Sequence, residues 1–84
     1  MKISFLKYYK DKDSFNMLKK MGMNVIEVRE PEQIDSIIEN LKQEKYTSIV
    51  IQDELASFSE DIISKYQNDN NFNIIIIPNN KSKF

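Results

Sequence analysis

Apolar positions along the chain follow two alternating rhythms. Short runs rich in β-branched and aromatic residues read as strands, and between them apolar residues return every three or four positions, as on one face of a helix. "ISFLKYY" is the first strand-like run. "DSFNMLKKMG" follows as a short helix, with Asp13 placed to cap its start and Gly22 just past its end. Phe15 and Leu18, with Met17 and Met21, supply an untidy apolar face. "MNVIEV" is the second strand.

"EPEQIDSIIENLKQEKY" is the clearest helix. Pro31 suits its first position, Glu32 and Asp35 suit the positive end of the helix dipole, and Lys42 and Lys45 suit the negative end. Ile34, Ile37, Ile38 and Leu41 stand at i, i+3, i+4 and i+7. "TSIVI" is the third strand. In "DELASFSEDIISKYQND", Leu55, Phe58, Ile62, Ile63 and Tyr66 keep helical spacing. Asp53 is placed to cap this segment, and Ser57 or Ser59 to cap a restart, so a short turn followed by a longer helix is expected. "NDNN" marks a turn, and "FNIIII" is the fourth strand, closed by Pro78.

The order β-α-β-α-β-α-β predicts right-handed crossovers and a parallel sheet with helices on both faces. Strands inside such a sheet lose their polar/apolar alternation. "SIVI" and "IIII" are therefore expected to be covered on both faces, and a polar residue at Ile75 or Ile76 is expected to cost much of the stability. Eighty-four residues make a single domain, residues 1–78, with 79–84 as a polar tail.

Composition narrows the chemistry. With no cysteine there is no disulfide, thiolate metal site or thiol nucleophile, and with no histidine the commonest metal ligand and general base are missing. No Gly-rich phosphate loop is present, and no apolar run approaches the roughly 20 residues that span a bilayer. A soluble, cytoplasmic, non-catalytic protein without cofactor or small-molecule substrate is expected. Residues 1–29 carry seven basic and three acidic side chains, residues 30–69 three basic and ten acidic. Such polarity suits an oriented docking event. A net charge of −1 with scattered lysines argues against nucleic-acid binding.

Parallel sheets bind ligands at the carboxyl ends of their strands, where the order reverses. In a sheet of order 2-1-3-4 that crevice receives Asp11 and Asp13 from the first loop and Gln52, Asp53 and Glu54 from the third. Asp11, Asp13 and Asp53 invite comparison with receiver domains that hold Mg²⁺ on an acidic cluster. A receiver's fifth strand and its lysine have no counterpart before the chain stops, and helix capping by Asp13 and Asp53 explains two of the three.

The whole order of segments resembles the F-subunits of V-type and A-type ATPases. "DKDSFNMLKKMGMNVIEV" is similar to that family's opening loop, short helix and second strand, with Asp11, Asp13, Ser14, Gly22 and Val25 at matching positions. In "YTSIVIQDELASFSEDIISKY" the matching positions are Tyr46, Ile49, Ile51, Glu54, Leu55, Ala56, Ile62 and Tyr66. "NIIIIPNNKSK" is similar to its fourth strand and closing proline, Pro78. Lys10 stands where the family has glycine, and Gln52 where threonine is common.

The resemblance implies a Rossmann-like, flavodoxin-like sheet of order 2-1-3-4. It also implies a non-catalytic rotor protein, peripheral to a membrane complex. Such a protein binds the coiled-coil D-subunit of the central stalk and helps couple ATP hydrolysis or synthesis to ion transport. The family continues beyond the proline into a helix that lies along the stalk; here six residues follow Pro78. Either a truncated form or a relative docking through its globular domain is expected. Pro78, Asn79, Asn80, Lys81 and Phe84 are the expected contacts, with Glu27 and Arg29 secondary. A receiver-like or Mg²⁺-binding signalling domain, or a stand-alone paralogue with another protein partner, is the alternative.

Overall fold

A computed structural model describes residues 2–11 and 15–78. Strands β1 (Ile3–Tyr8), β2 (Asn24–Val28), β3 (Ser48–Gln52) and β4 (Asn73–Ile77) form one sheet of order β2-β1-β3-β4. All three pairings are parallel, with Leu6 level with Ile26 and Ile51, and Ile51 level with Ile76. The helices are α1 (Asn16–Lys20), α2 (Ile34–Gln43), α3 (Asp53–Ala56) and α4 (Glu60–Tyr66). The expected element order and the 2-1-3-4 sheet are both present, and the third helical segment does break in two.

Side chains alternate across a strand, so the register defines two unlike faces. Leu6, Val28, Ile49 and Ile51 lie fully buried on one face, against Ile34, Ile38 and Leu41 of α2, Leu55 of α3 and Ile62 and Tyr66 of α4. The other face carries the row Val25, Phe5, Val50 and Ile75. Its cover begins at Phe15, whose ring lies 5.3 Å from that of Phe5. It continues into α1, five residues long with none of them buried. Phe5, Val25 and Val50 are consequently half-buried, and Met17 and Met21 are exposed.

This asymmetry corrects the reading of "IIII". β3 is central, and Ile49 and Ile51 are buried as expected; β4 is an edge strand, and Ile75 and Ile76 are each 47% exposed. An uninterrupted apolar run is the signature of a covered strand, yet among the described residues the outer edge has no neighbour and the α1 face has little helix above it. Ile75 and Ile76 are therefore not the stability-determining residues that the run suggests.

None of the described helix starts carries a side-chain capping bond. Pro31 opens a 3-10 turn, Pro31–Gln33, that leads into α2. Asp53 is the first residue of α3 and not its cap: Gln52 holds the cap position, without a side-chain bond. Ser59 precedes α4 and likewise makes no capping bond, while Ser57 Oγ donates to the Glu54 carbonyl at 2.8 Å. The expected Asp13 cap lies outside the described residues.

Helices α1 and α2 end in the same motif. Gly22 N donates to Lys19 O and Met23 N to Leu18 O; Lys45 N donates to Lys42 O and Tyr46 N to Leu41 O. Each places one residue in the left-handed region, Gly22 at φ 89° and Lys45 at φ 73°. Glycine adopts that conformation without a Cβ clash, and lysine does not. A Cβ at Gly22 would meet nothing within 4 Å, so Gly22→Ala carries the backbone cost alone. Chemical denaturation is expected to show Gly22→Ala destabilised by about 1 kcal/mol and Lys45→Gly stabilised by about 0.5–1 kcal/mol.

Candidate protein-interaction surface

The carboxyl ends of β1 and β3 meet at the point where the strand order reverses. Gln52, 3% exposed, closes this crevice. Its Oε1 accepts from Tyr8 N at 3.5 Å, and its Nε2 donates to Asp11 Oδ2 at 2.8 Å. A side-chain amide thus ties the two strand ends together and engages the Asp11 carboxylate. Asp53 lies exposed in the first turn of α3, and Asp13 lies outside the described residues. Among the described residues no group of three or more acidic side chains is gathered so that it could hold a metal ion.

Beside the crevice, tyrosines and cations cluster. The Tyr8 and Tyr9 rings pack edge to face at 5.2 Å. The Arg29 guanidinium lies 5.1 Å from the Tyr9 ring centre, and Lys10 lies 5.9 Å from it. Cation–π contact holds both charges over aromatic faces at the strand ends. Glu27 is exposed on β2, level with the buried Lys7 of β1 on the face that α1 partly covers.

Pro78 is exposed and follows β4. Arg29 and Glu27 belong to the opposite edge of the sheet, at β2. Three strand spacings separate the edges, roughly 14 Å. Pro78 and the pair Arg29 and Glu27 do not form one patch. They mark the two sides of the same end of the domain. Asn79, Asn80, Lys81 and Phe84 lie outside the described residues.

Sequence reasoning missed two exposed apolar features. Phe58, assigned to a helix face by its spacing, falls in the break between α3 and α4 and is 60% exposed, beside Pro31 and Glu32. A groove of about 420 Å³ runs between α4 and the β4 edge, past Ile63, Gln67 and Ile76. The serines around Phe58 did signal the break; nothing local signalled the groove, which depends on β4 being an edge.

The perturbed titrations lie away from the crevice, where α2 meets α4. Glu39 accepts from Tyr66 Oη at 2.6 Å and from Lys65 Nζ at 3.2 Å, and these bonds, Tyr66's first, hold its carboxyl below its ordinary value of 4.5. Asp69 accepts from Asn71 N at 2.8 Å and from Lys42 Nζ at 3.0 Å, which keeps it below 3.8. The Tyr66 hydroxyl is raised, chiefly by its bond to Glu39. Both carboxylates bind protons more weakly folded than unfolded. Their stabilisation is complete above the unfolded values and drains away as pH falls through the lower folded ones. Urea unfolding stepped from about pH 7 to about pH 2 is expected to show that decline, and Glu39→Gln is expected to flatten it.

A family model for the ATP synthase (F/14-kDa) subunit matches residues 10–84. The chain belongs to that family. The match runs from Lys10 to the last residue and so excludes β1, whose place is fixed by its register with β2 and β3. No curated protein matches the chain. Within the family of F/14-kDa subunits the features above describe an α/β domain whose switch-point crevice is closed by Gln52. No helix among its described residues is long and apolar enough to cross a membrane.

Proposed function

We propose that the chain is a non-catalytic subunit of the central stalk of a V/A-type ATPase. In this reading it is a cytoplasmic protein, peripheral to the membrane complex. It docks on the coiled-coil D-subunit of the stalk and helps couple ATP hydrolysis or synthesis to ion transport. The observation that carries the reading is the family match over residues 10–84. The amide-filled crevice supports a binding role over a receiver-like one, because Gln52 engages Asp11.

Docking through the strand-end surface would use Pro78, Asn79, Asn80, Lys81 and Phe84 on one side, with Arg29 and Glu27 on the other. Two packed helices are about 20 Å across, wide enough to lie over both sides at once.

Calorimetry of the 84-residue chain against the coiled-coil D-subunit of the same source tests the reading. Binding at micromolar Kd or tighter is the expected result, with the core variant Ile51→Asp as the unfolded control. A well-folded chain that fails to bind would overturn the assignment of that partner.

A further inference from the structure

Among the described residues β4 is hydrogen-bonded on one side only. Asn73 N donates to Thr47 O at 2.9 Å. In a parallel ladder the bonding groups alternate along the strand, so Asn73, Ile75 and Ile77 turn their N–H and C=O towards β3. Those of Ile74 and Ile76 point outward. Pro78, at the next outward position, has no N–H, and the row of donors ends there.

Edge strands are ordinarily guarded by charge, by an internal proline or by a bulge. β4 has none of these. No charged residue occurs from Asn70 to Pro78, and the register from Asn73 to Ile77 is unbroken. Ile75 and Ile76, on opposite faces, are both 47% exposed.

We propose that this edge pairs with the β4 edge of a second copy of the chain, antiparallel, about a twofold axis at Ile75. The positions of the outward groups restrict the register. Ile74 exchanges both backbone bonds with Ile76 of the second copy, Ile76 with its Ile74, and the Ile75 side chains meet on the axis. Centring on Ile76 would set Ile74 against Pro78, which cannot donate.

Charge placement agrees. The groove beside the edge is lined by Glu60, Ile63 and Gln67 of α4. The twofold runs α4 antiparallel to its copy, so Ile63 approaches the axis and Glu60 is carried towards the neutral Gln67 end of the other helix. Glu60 of one copy is thereby not set against Glu60 of the other. Pairing β4 with the β2 edge would instead leave a free edge on each copy and propagate without closing, and β2 presents the charged Glu27. The isologous pair closes on itself.

Sedimentation velocity on the full chain, from about 1 µM to about 300 µM, covers the weak affinities that a small interface supports. The expected result is a twofold rise in mass across that range. Ile75→Lys is expected to stay monomeric throughout with an unchanged circular dichroism spectrum, while Met17→Lys, on α1, dimerises as the parent does. Hydrogen exchange supplies a readout independent of any variant: the Ile74 and Ile76 amides should slow as concentration rises. A parent chain that remains monomeric throughout would overturn the proposal. So would a dimer that survives Ile75→Lys, or one in which those two amides exchange as fast as in the monomer.

Discussion

Phe72→Ala is expected to lower the free energy of unfolding by about 3–5 kcal/mol, the cost of emptying a large buried aromatic site. Phe72 is 1% exposed at the entry to β4. Its ring meets Tyr66 of α4 edge to face at 5.2 Å, and Lys42 of α2 lies over both rings at 5.2 Å while pairing with Asp69 at 3.0 Å. Truncation removes the common anchor of α2, α4 and the last strand. The Lys42–Asp69 pair is partly exposed and contributes little alone; the ring beneath it carries the contact. A chain of this length has about 4–13 kcal/mol of total stability, so urea unfolding should show a much lower midpoint, or a variant already partly unfolded in buffer. A loss under about 1 kcal/mol would mean that Phe72 is not a core residue.

Ile51→Asp is expected to abolish folding, whereas Ile75→Asp is expected to leave the monomer folded. Ile51 is fully buried in the central strand, between Leu6 and Ile76 and beneath the α2–α4 layer. A carboxylate there would be unpaired in an apolar core, and its desolvation cost, added to the lost burial, approaches the whole stability of the domain. Ile75 is nearly half exposed on an edge strand, where a charge remains hydrated and where edges tolerate charge well. Circular dichroism melts of the two variants separate these outcomes, and equal destabilisation would contradict the placement of β4 at the edge.

The contrast between these two isoleucines shows what the sequence did and did not make legible. Alternation of element types was readable because each period reports a local backbone geometry, and Ser57 and Ser59 revealed the break between α3 and α4. Coverage of a strand is a property of its neighbours. "SIVI" and "IIII" look alike, yet one is central and the other peripheral. Gln52 presented the same difficulty. Its role depends on Tyr8 and Asp11, more than forty positions away. Lys45 gave no sign of its left-handed backbone, because the usual signal for that position is a glycine. The expected 2-1-3-4 order already placed Pro78 and Arg29 at opposite edges of the sheet, roughly 14 Å apart by strand spacing.

The central position of β1 has a consequence for synthesis on the ribosome. β1, one of two strands with neighbours on both sides, is the first of the four to be made, and its second neighbour, β3, is not available until Ser48–Gln52 have been translated. Until then the one sheet pairing open to β1 is with β2. Translation therefore supplies the two inner strands with an outer strand between them, and β4, at the other edge, comes last.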